Sequence, residues 1–188
     1  MDKNKLQQAI TLMIEAIGDD PARNGLLETP VRAAEMFVEM FEGAQHTNDE
    51  IAEMFNKCFE DANSSDWVLV KDIAFFSFCE HHFALMYNMK AHIAYKPTDK
   101  VIGLSKIARI VNMVGKRLQL QERIGNEISY ILQKILGTED IMVIIEGEHS
   151  CMTARGIRAQ ASATRTCHTS GVFNKDASLR REVFLNVF

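Results

Sequence analysis

The sequence predicts an α+β fold, and three shifts in its periodicity carry that reading. Apolar residues recur every three or four positions up to about Cys58, which is helical spacing. From Trp67 the pattern becomes the two-residue alternation of strands, returns to helical spacing between Ile107 and Ile135, and then turns strand-like again. The order strand, strand, helix, helix, strand, strand fits an antiparallel sheet carrying a helix pair on one face, preceded by an N-terminal helical region.

Each element has its own signal. Leu6, Ile10, Met13, Ile14 and Ile17 mark a first helix, with Gly18 as its C-terminal stop. After a loop rich in Asp, Asn and Gly, Thr29-Pro30 offers an N-cap hydroxyl before a proline preset for the first turn. Ala33, Ala34, Phe37, Met40 and Phe41 form the buried stripe of this second helix, which ends near Gly43. Asn48 and Asp49 start a third, with Ile51, Met54, Phe55 and Cys58 on one face.

Strands are expected from Trp67 to Phe78 and from Leu85 to Tyr95, where Leu85, Tyr87, Met89, Ala91, Ile93 and Tyr95 alternate with more polar neighbours. Pro97 and Gly103 then break the chain. Ile107, Ile110, Val111 and Val114 form one helical stripe, and Ile124, Ile128, Ile131, Leu132 and Ile135 a second that stops at Gly137. Strands resume at Ile141 to Glu146 and at about Ile157 to Thr166, and a terminal helix follows Asp176 with Leu179, Val183, Phe184 and Val187. The expected division is a helical region over residues 1–62 and an α+β domain with a C-terminal helix over 63–188.

Composition narrows the function. With 188 residues, 47% of them apolar, the chain can bury a sizeable core without staples. A net charge of -4 supplies no broad basic field for nucleic acid, so an anionic ligand must be small and held by a local cluster of Lys and Arg. The four cysteines, at 58, 79, 151 and 167, are too few and too scattered to frame so long a chain. No charged-then-apolar leader is seen, which places the chain in the cytoplasm. Apolar runs fall well below the roughly 18 residues of a membrane helix, so no membrane association is expected.

Chemistry concentrates at Cys79-Glu80-His81-His82, in the connection between two strands. A C-x-x-H pair in a turn lets Cys79 and His82 converge on one ion, and Cys151 offers a third ligand from a distant loop. Structural zinc sites are normally closed by four protein ligands, whereas catalytic ones keep a position for water. Two thiolates largely neutralise a dication, so nearby acid and base groups are needed; His81 and His149 stand next to the ligands and suit proton transfer near neutrality. Taken alone, the pair reads equally well as a buried thiol beside surface histidines, with Cys151 incidental.

The wider pattern resembles GTP cyclohydrolase I from about Gly25 to the C-terminus. It comprises Leu27-Glu28-Thr29-Pro30-Val31-Arg32, Cys79-Glu80-His81-His82, Val101-Ile102-Gly103-Leu104-Ser105-Lys106 continuing to Arg109, and Gln119-Leu120-Gln121-Glu122-Arg123. His149-Ser150-Cys151, Ala154-Arg155-Gly156, Gly171-Val172-Phe173 and Arg181-Glu182-Val183-Phe184-Leu185 complete it. The resemblance implies hydrolysis of the guanine imidazole ring of GTP, release of formate and rearrangement to 7,8-dihydroneopterin triphosphate. It also implies a Zn2+ cofactor on Cys79, His82 and Cys151, and the tunnelling fold assembled as a homodecamer of two stacked five-membered rings with active sites at subunit interfaces.

Residue by residue, the resemblance makes His81 and His149 the proton-transfer groups and brings Ser105 into the ribose rearrangement. Lys106 and Arg109, with Ser105, match phosphate and ribose contacts; Arg155 and Arg32 match further triphosphate contacts, Arg32 reaching a neighbouring subunit's site. Glu122 matches the carboxylate that reads guanine, with Gln121 beside it in the substrate-binding set. Read from residue type alone, the Lys and Arg positions are a solvated helix face before they are a phosphate site, and Glu122 is a first-turn carboxylate favoured by the helix dipole.

Thr164-Arg165-Thr166-Cys167-His168 departs from the family's hydroxyl-rich run. Cys167 and His168 as an extra metal pair is disfavoured because adjacent strand residues point to opposite faces, which leaves Cys167 as a core or half-buried thiol. Cys58 reads as core, while His46 and His92 have no partner in sequence. Two rivals stand beside the main reading: a diverged tunnelling-fold enzyme acting on another purine or pterin, and a non-catalytic zinc-stabilised scaffold.

Overall fold

The computed structural model describes residues 1–60 and 66–188; the expected division between residues 62 and 63 lies outside the described residues. Helix α1 (Lys3–Ala16) is capped by Asp2, whose carboxylate accepts from the Lys5 N–H, and Gly18 follows it at φ +89°. Helix α2 (Thr29–Met40) packs on α1. The expected Thr29 cap does not form: Glu28 holds the cap position without a side-chain bond, and the Thr29 N–H donates to Leu26 O at 2.9 Å. Pro30 in the first turn has no N–H to satisfy there.

A 3-10 turn (Glu42–Gln45) leads to α3 (Asn48–Met54), whose capping box pairs Thr47 with Glu50 one residue ahead of the expected start. Cys58 does not continue that helix. It opens strand β1 (Cys58–Glu60), which pairs antiparallel with β4 (Lys100–Ile102), and its half-buried side chain packs against the main core.

The main sheet contains β2 (Val68–Cys79), β3 (Ala84–Tyr95), β5 (Leu118–Gln119), β6 (Ile141–His149) and β7 (Ala163–Thr169) in the order β5-β2-β3-β6-β7. Its pairs are antiparallel except β5, which runs parallel to the end of β2 through Phe78↔Leu118 and Cys79↔Gln119. The sheet is therefore mixed at one edge. The last strand starts at Ala163 rather than near Ile157 because Arg158 and Ala161 take φ +50° and +62°, which interrupts an extended chain.

Helices α4 (Leu104–Gly115) and α5 (Gln121–Leu136) lie on one face of the sheet, as the periodicity predicts. Ile107, Ile110, Val111, Ile124, Ile128, Ile131 and Leu132 are fully buried there against Met89, Ile93, Val143 and Ile145. Each such side chain contributes about 1.5–3 kcal/mol through removal from water. α4 sits so close to β2 that a Cβ on Gly115 would lie 2.6 Å from Phe76 O. Gly137 ends α5 in the left-handed conformation at φ +69°.

The opposite face is also partly covered, which the one-sided expectation did not include. Beyond the four-residue α6 (Ser150–Thr153) come α7 (Gly171–Lys175) and α8 (Ala177–Val187). Phe173 and Val183 from these helices bury Ala94, Met142 and Ile144. Among the described residues, no helix is long and apolar enough to cross a membrane.

Candidate metal centre

β2 ends at Cys79, residues 80–83 turn, and β3 begins at Ala84, so His82 comes back towards the strand end that carries Cys79. The turn closes through Phe83 at φ +53°, a left-handed conformation that costs a bulky residue on the order of 1–3 kcal/mol. Packing offsets this: the Phe83 ring lies 5.9, 5.4 and 6.0 Å from the rings of Phe37, Phe41 and Phe78. Glu80 fastens the other side. Its N–H donates to Gln119 O at 3.0 Å, and its carboxylate accepts two bonds from Arg123 at 2.7 and 3.0 Å. That ion pair holds Glu80's carboxyl below its ordinary pKa.

The third donor arrives through the sheet. Pairing of Met86 with His149 places the end of β6 beside the start of β3, and the chain turns directly into α6, which carries Cys151. Tyr87 and Thr153 join their hydroxyls at 2.9 Å and tie α6 to β3. As a result the donor atoms of Cys79, His82 and Cys151 all lie within 4.8 Å of one another. Cys79 is buried, Cys151 half-buried and His82 exposed.

This group fits a divalent ion. Bonds of about 2.3 Å to sulfur and 2.0–2.1 Å to nitrogen set tetrahedral donors roughly 3.5–3.8 Å apart, within rotamer adjustment of the observed spacing. Burial, and then the neighbouring Cys79, push the Cys151 thiol up, while Arg155 pulls it down. Two adjacent thiolates repel, and a dication between them removes that cost. Three protein donors leave a fourth coordination position to a non-protein ligand.

His149 stands at the end of β6. Its Nε2 lies 2.8 Å from Gln121 Oε1, and burial pushes its pKa down while Glu122 acts in the opposite direction. Gln121, expected among the substrate contacts, is only 2% exposed, and its amide nitrogen donates to Ile145 O and Thr164 O. Glu122 is exposed on the first turn of α5 and lines a cleft of about 280 Å³ with Gly125, Asn126, Thr166, Cys167 and His168. His81 is exposed on the turn between β2 and β3.

The remaining expected site residues lie on other elements. Ser105, Lys106 and Arg109 occupy the first two turns of α4. Arg32, on α2, pairs with Glu28. Among the described residues, none of these four makes a hydrogen bond or ion pair with the metal group or His149. Cys167 is exposed rather than core or half-buried, because β7 is an edge strand whose outward side chains face solvent.

One residue of the site's support, and one buried histidine elsewhere on β3, have no role legible in the sequence pattern. Arg123 belongs to a motif, but its ion pair with Glu80 spans 43 positions, too far for any local pattern. His92 is buried, its Nδ1 accepting from the Asp72 N–H at 3.2 Å; an apolar strand around a lone histidine was the available signal.

A sheet backed by helices, with two thiols and an imidazole converging beside a half-buried histidine, defines a class: an α+β enzyme with an open three-donor metal centre. The comparison with known proteins is more particular. This chain belongs to the GTP cyclohydrolase I family, which it matches over residues 6–187. It is 54% identical over 190 residues to "GTP cyclohydrolase 1" of Clostridium botulinum (strain Kyoto / Type A2), covering 98% of this chain and 97% of the relative. Identity to the protein of the same name from Ruminiclostridium cellulolyticum is also 54% over 190 residues, with the same coverage. The Clostridium acetobutylicum protein of that name is 51% identical over 183 residues, 95% of this chain and 94% of the relative.

Proposed function

We propose that this chain opens the guanine imidazole ring of GTP by hydrolysis, releases formate and closes the product as 7,8-dihydroneopterin triphosphate. The observation that carries the reading is the convergence of Cys79, His82 and Cys151 next to His149 in a chain of this family. Zinc is the ion we assign to those three ligands; it suits a Cys2His set and supplies Lewis acidity and acidified water at neutral pH.

The chain's own residues do the rest. His81 or His149 delivers a proton to the purine ring nitrogen as the bond to C8 breaks, and His149, with Ser105, moves protons in the later ribose rearrangement. Glu122 accepts from the guanine N1–H and exocyclic amine, a pair of donors that adenine does not offer. Lys106, Arg109 and Arg155 hold the triphosphate, with Arg32 supplied from a neighbouring subunit.

The same reading takes the fold as the tunnelling fold, with a helical region over 1–62 and a catalytic domain over 63–188, assembled as a cytoplasmic homodecamer with sites between subunits. Two features support assembly: β7 leaves a sheet edge open, and among the described residues Arg32 pairs with Glu28, the cap residue of its own helix, and with no member of the metal group. Zinc-loaded protein incubated with GTP should release formate and yield a fluorescent pterin after oxidation. Bound zinc with GTP unchanged, or turnover of a pterin instead, would overturn the proposal.

A further inference from the structure

The geometry points to Gln121 as a positioning residue that fixes which ring nitrogen of His149 carries hydrogen, leaving the lone pair on Nδ1. The inference rests on the reading of His149 as a proton-transfer group. Gln121 opens α5 directly beneath the β6–β7 ladder. A Cβ on Gly125, one turn further along, would lie 3.3 Å from the His168 Cβ, so α5 runs close enough to β7 for a glutamine amide to span both strands.

The amide cannot be turned over. Its nitrogen donates to Ile145 O at 3.1 Å and to Thr164 O at 3.0 Å, and both partners are carbonyls that only accept. Reversing the amide would set its oxygen against two carbonyl oxygens in a buried place and lose both bonds. Oε1 therefore faces His149, and a carbonyl oxygen 2.8 Å from Nε2 requires that Nε2 bear the hydrogen. A neutral imidazole carries only one, so Nδ1 holds the lone pair.

With both N–H groups engaged in the protein, Gln121 acts through His149 instead of on the substrate. Two measurements separate these roles. Gln121→Met keeps the volume and removes the acceptor; kcat should fall roughly 10- to 100-fold while KM for GTP stays within about twofold. A rise in KM with kcat retained would make Gln121 a substrate contact and overturn the inference.

The second measurement needs neither turnover nor a folded Gln121 variant. Solid-state 15N NMR of histidine-labelled, zinc-loaded wild type, with the His149 resonances assigned by their loss in His149→Ala, should show hydrogen on Nε2 and a bare Nδ1. Hydrogen on Nδ1 with a bare Nε2 overturns the inference even if Gln121→Met does not fold. Should the wild type leave GTP untouched, the proposed function falls, while the NMR result still decides which nitrogen of His149 carries the hydrogen that Gln121 accepts.

Discussion

Replacing Arg117 with methionine should loosen the attachment of the 3-10 turn and α3 to α5. The side chain is 13% exposed, and its guanidinium makes four bonds. Nε donates to Gly43 O at 3.0 Å and one terminal nitrogen to His46 O at 2.8 Å; the other donates to Asn48 Oδ1 at 2.7 Å and Glu127 Oε2 at 2.8 Å. One residue thus ties the 3-10 turn and the start of α3 to α5. Charge-assisted bonds worth about 1.5–3 kcal/mol each would sum to roughly 6–12, but they share one group, and methionine keeps the packing of the stem. Glu127 also keeps its bond from Gln119 Nε2 at 2.7 Å. The governing figure is the cost of breaking a largely buried pair, about 3–5 kcal/mol. At about 2–4 °C per kcal/mol for a chain of this size, Tm should fall roughly 6–20 °C. Urea unfolding at fixed protein and zinc concentrations measures it, with a lower midpoint at unchanged slope. A loss below about 1 kcal/mol, the value of an exposed pair, would refute the argument. Removing Glu127 as well should cost less than the sum of the two single changes.

Other perturbations test separate links. Cys151→Ala should abolish zinc retention, read by metal analysis, together with turnover; a variant that kept both would sink the ligand assignment. At Gly43 a Cβ would lie 1.8 Å from Met113 O, so Gly43→Ala must push the 3-10 turn off α4 and destabilise by at least about 1–3 kcal/mol in a thermal melt. Burial lowers the pKa of His92 and of His168, so below the unfolded value of 6.5 the unfolded chain binds more protons than the folded one. Stability should be fully present above that pH and fall as pH drops through the depressed folded values. His92→Gln, which keeps an acceptor for the Asp72 N–H without titrating, should flatten the slope; an unchanged slope would show that His92 does not contribute.

The parts of the fold that were legible in the sequence are those where one face of an element is buried. The stripe from Ile107 to Val114 and the alternation from Leu85 to Tyr95 became α4 and β3 because the core enforces their period. Ends were harder to read. Thr29 carries a good capping hydroxyl, yet Pro30 and the Leu26 carbonyl draw the helix start one residue earlier. Nothing in the types of Arg158 and Ala161 announces a positive φ, so the strand expected from Ile157 begins six residues late. Leu179 and Val183 marked a helix but could not say which face of the sheet it would cover.

The same division holds at the site. Cys79 and His82 share one turn, so their spacing alone suggests convergence, and Cys151 follows once β6 lies beside β3. Gln121 and His149 are 28 residues apart, and Glu80 and Arg123 43 apart; these contacts exist only after α5 is docked across the strands. Residue type gives the chemistry of a site, while its supporting bonds depend on tertiary packing.

The central claim is that this metal centre acts on C8 of GTP. Zinc-loaded protein given GTP labelled at C8 should transfer the label to formate, with one pterin formed for each formate released, and His149→Ala should not form the pterin. Label retained in the nucleotide, with zinc bound and the protein folded, would contradict the account.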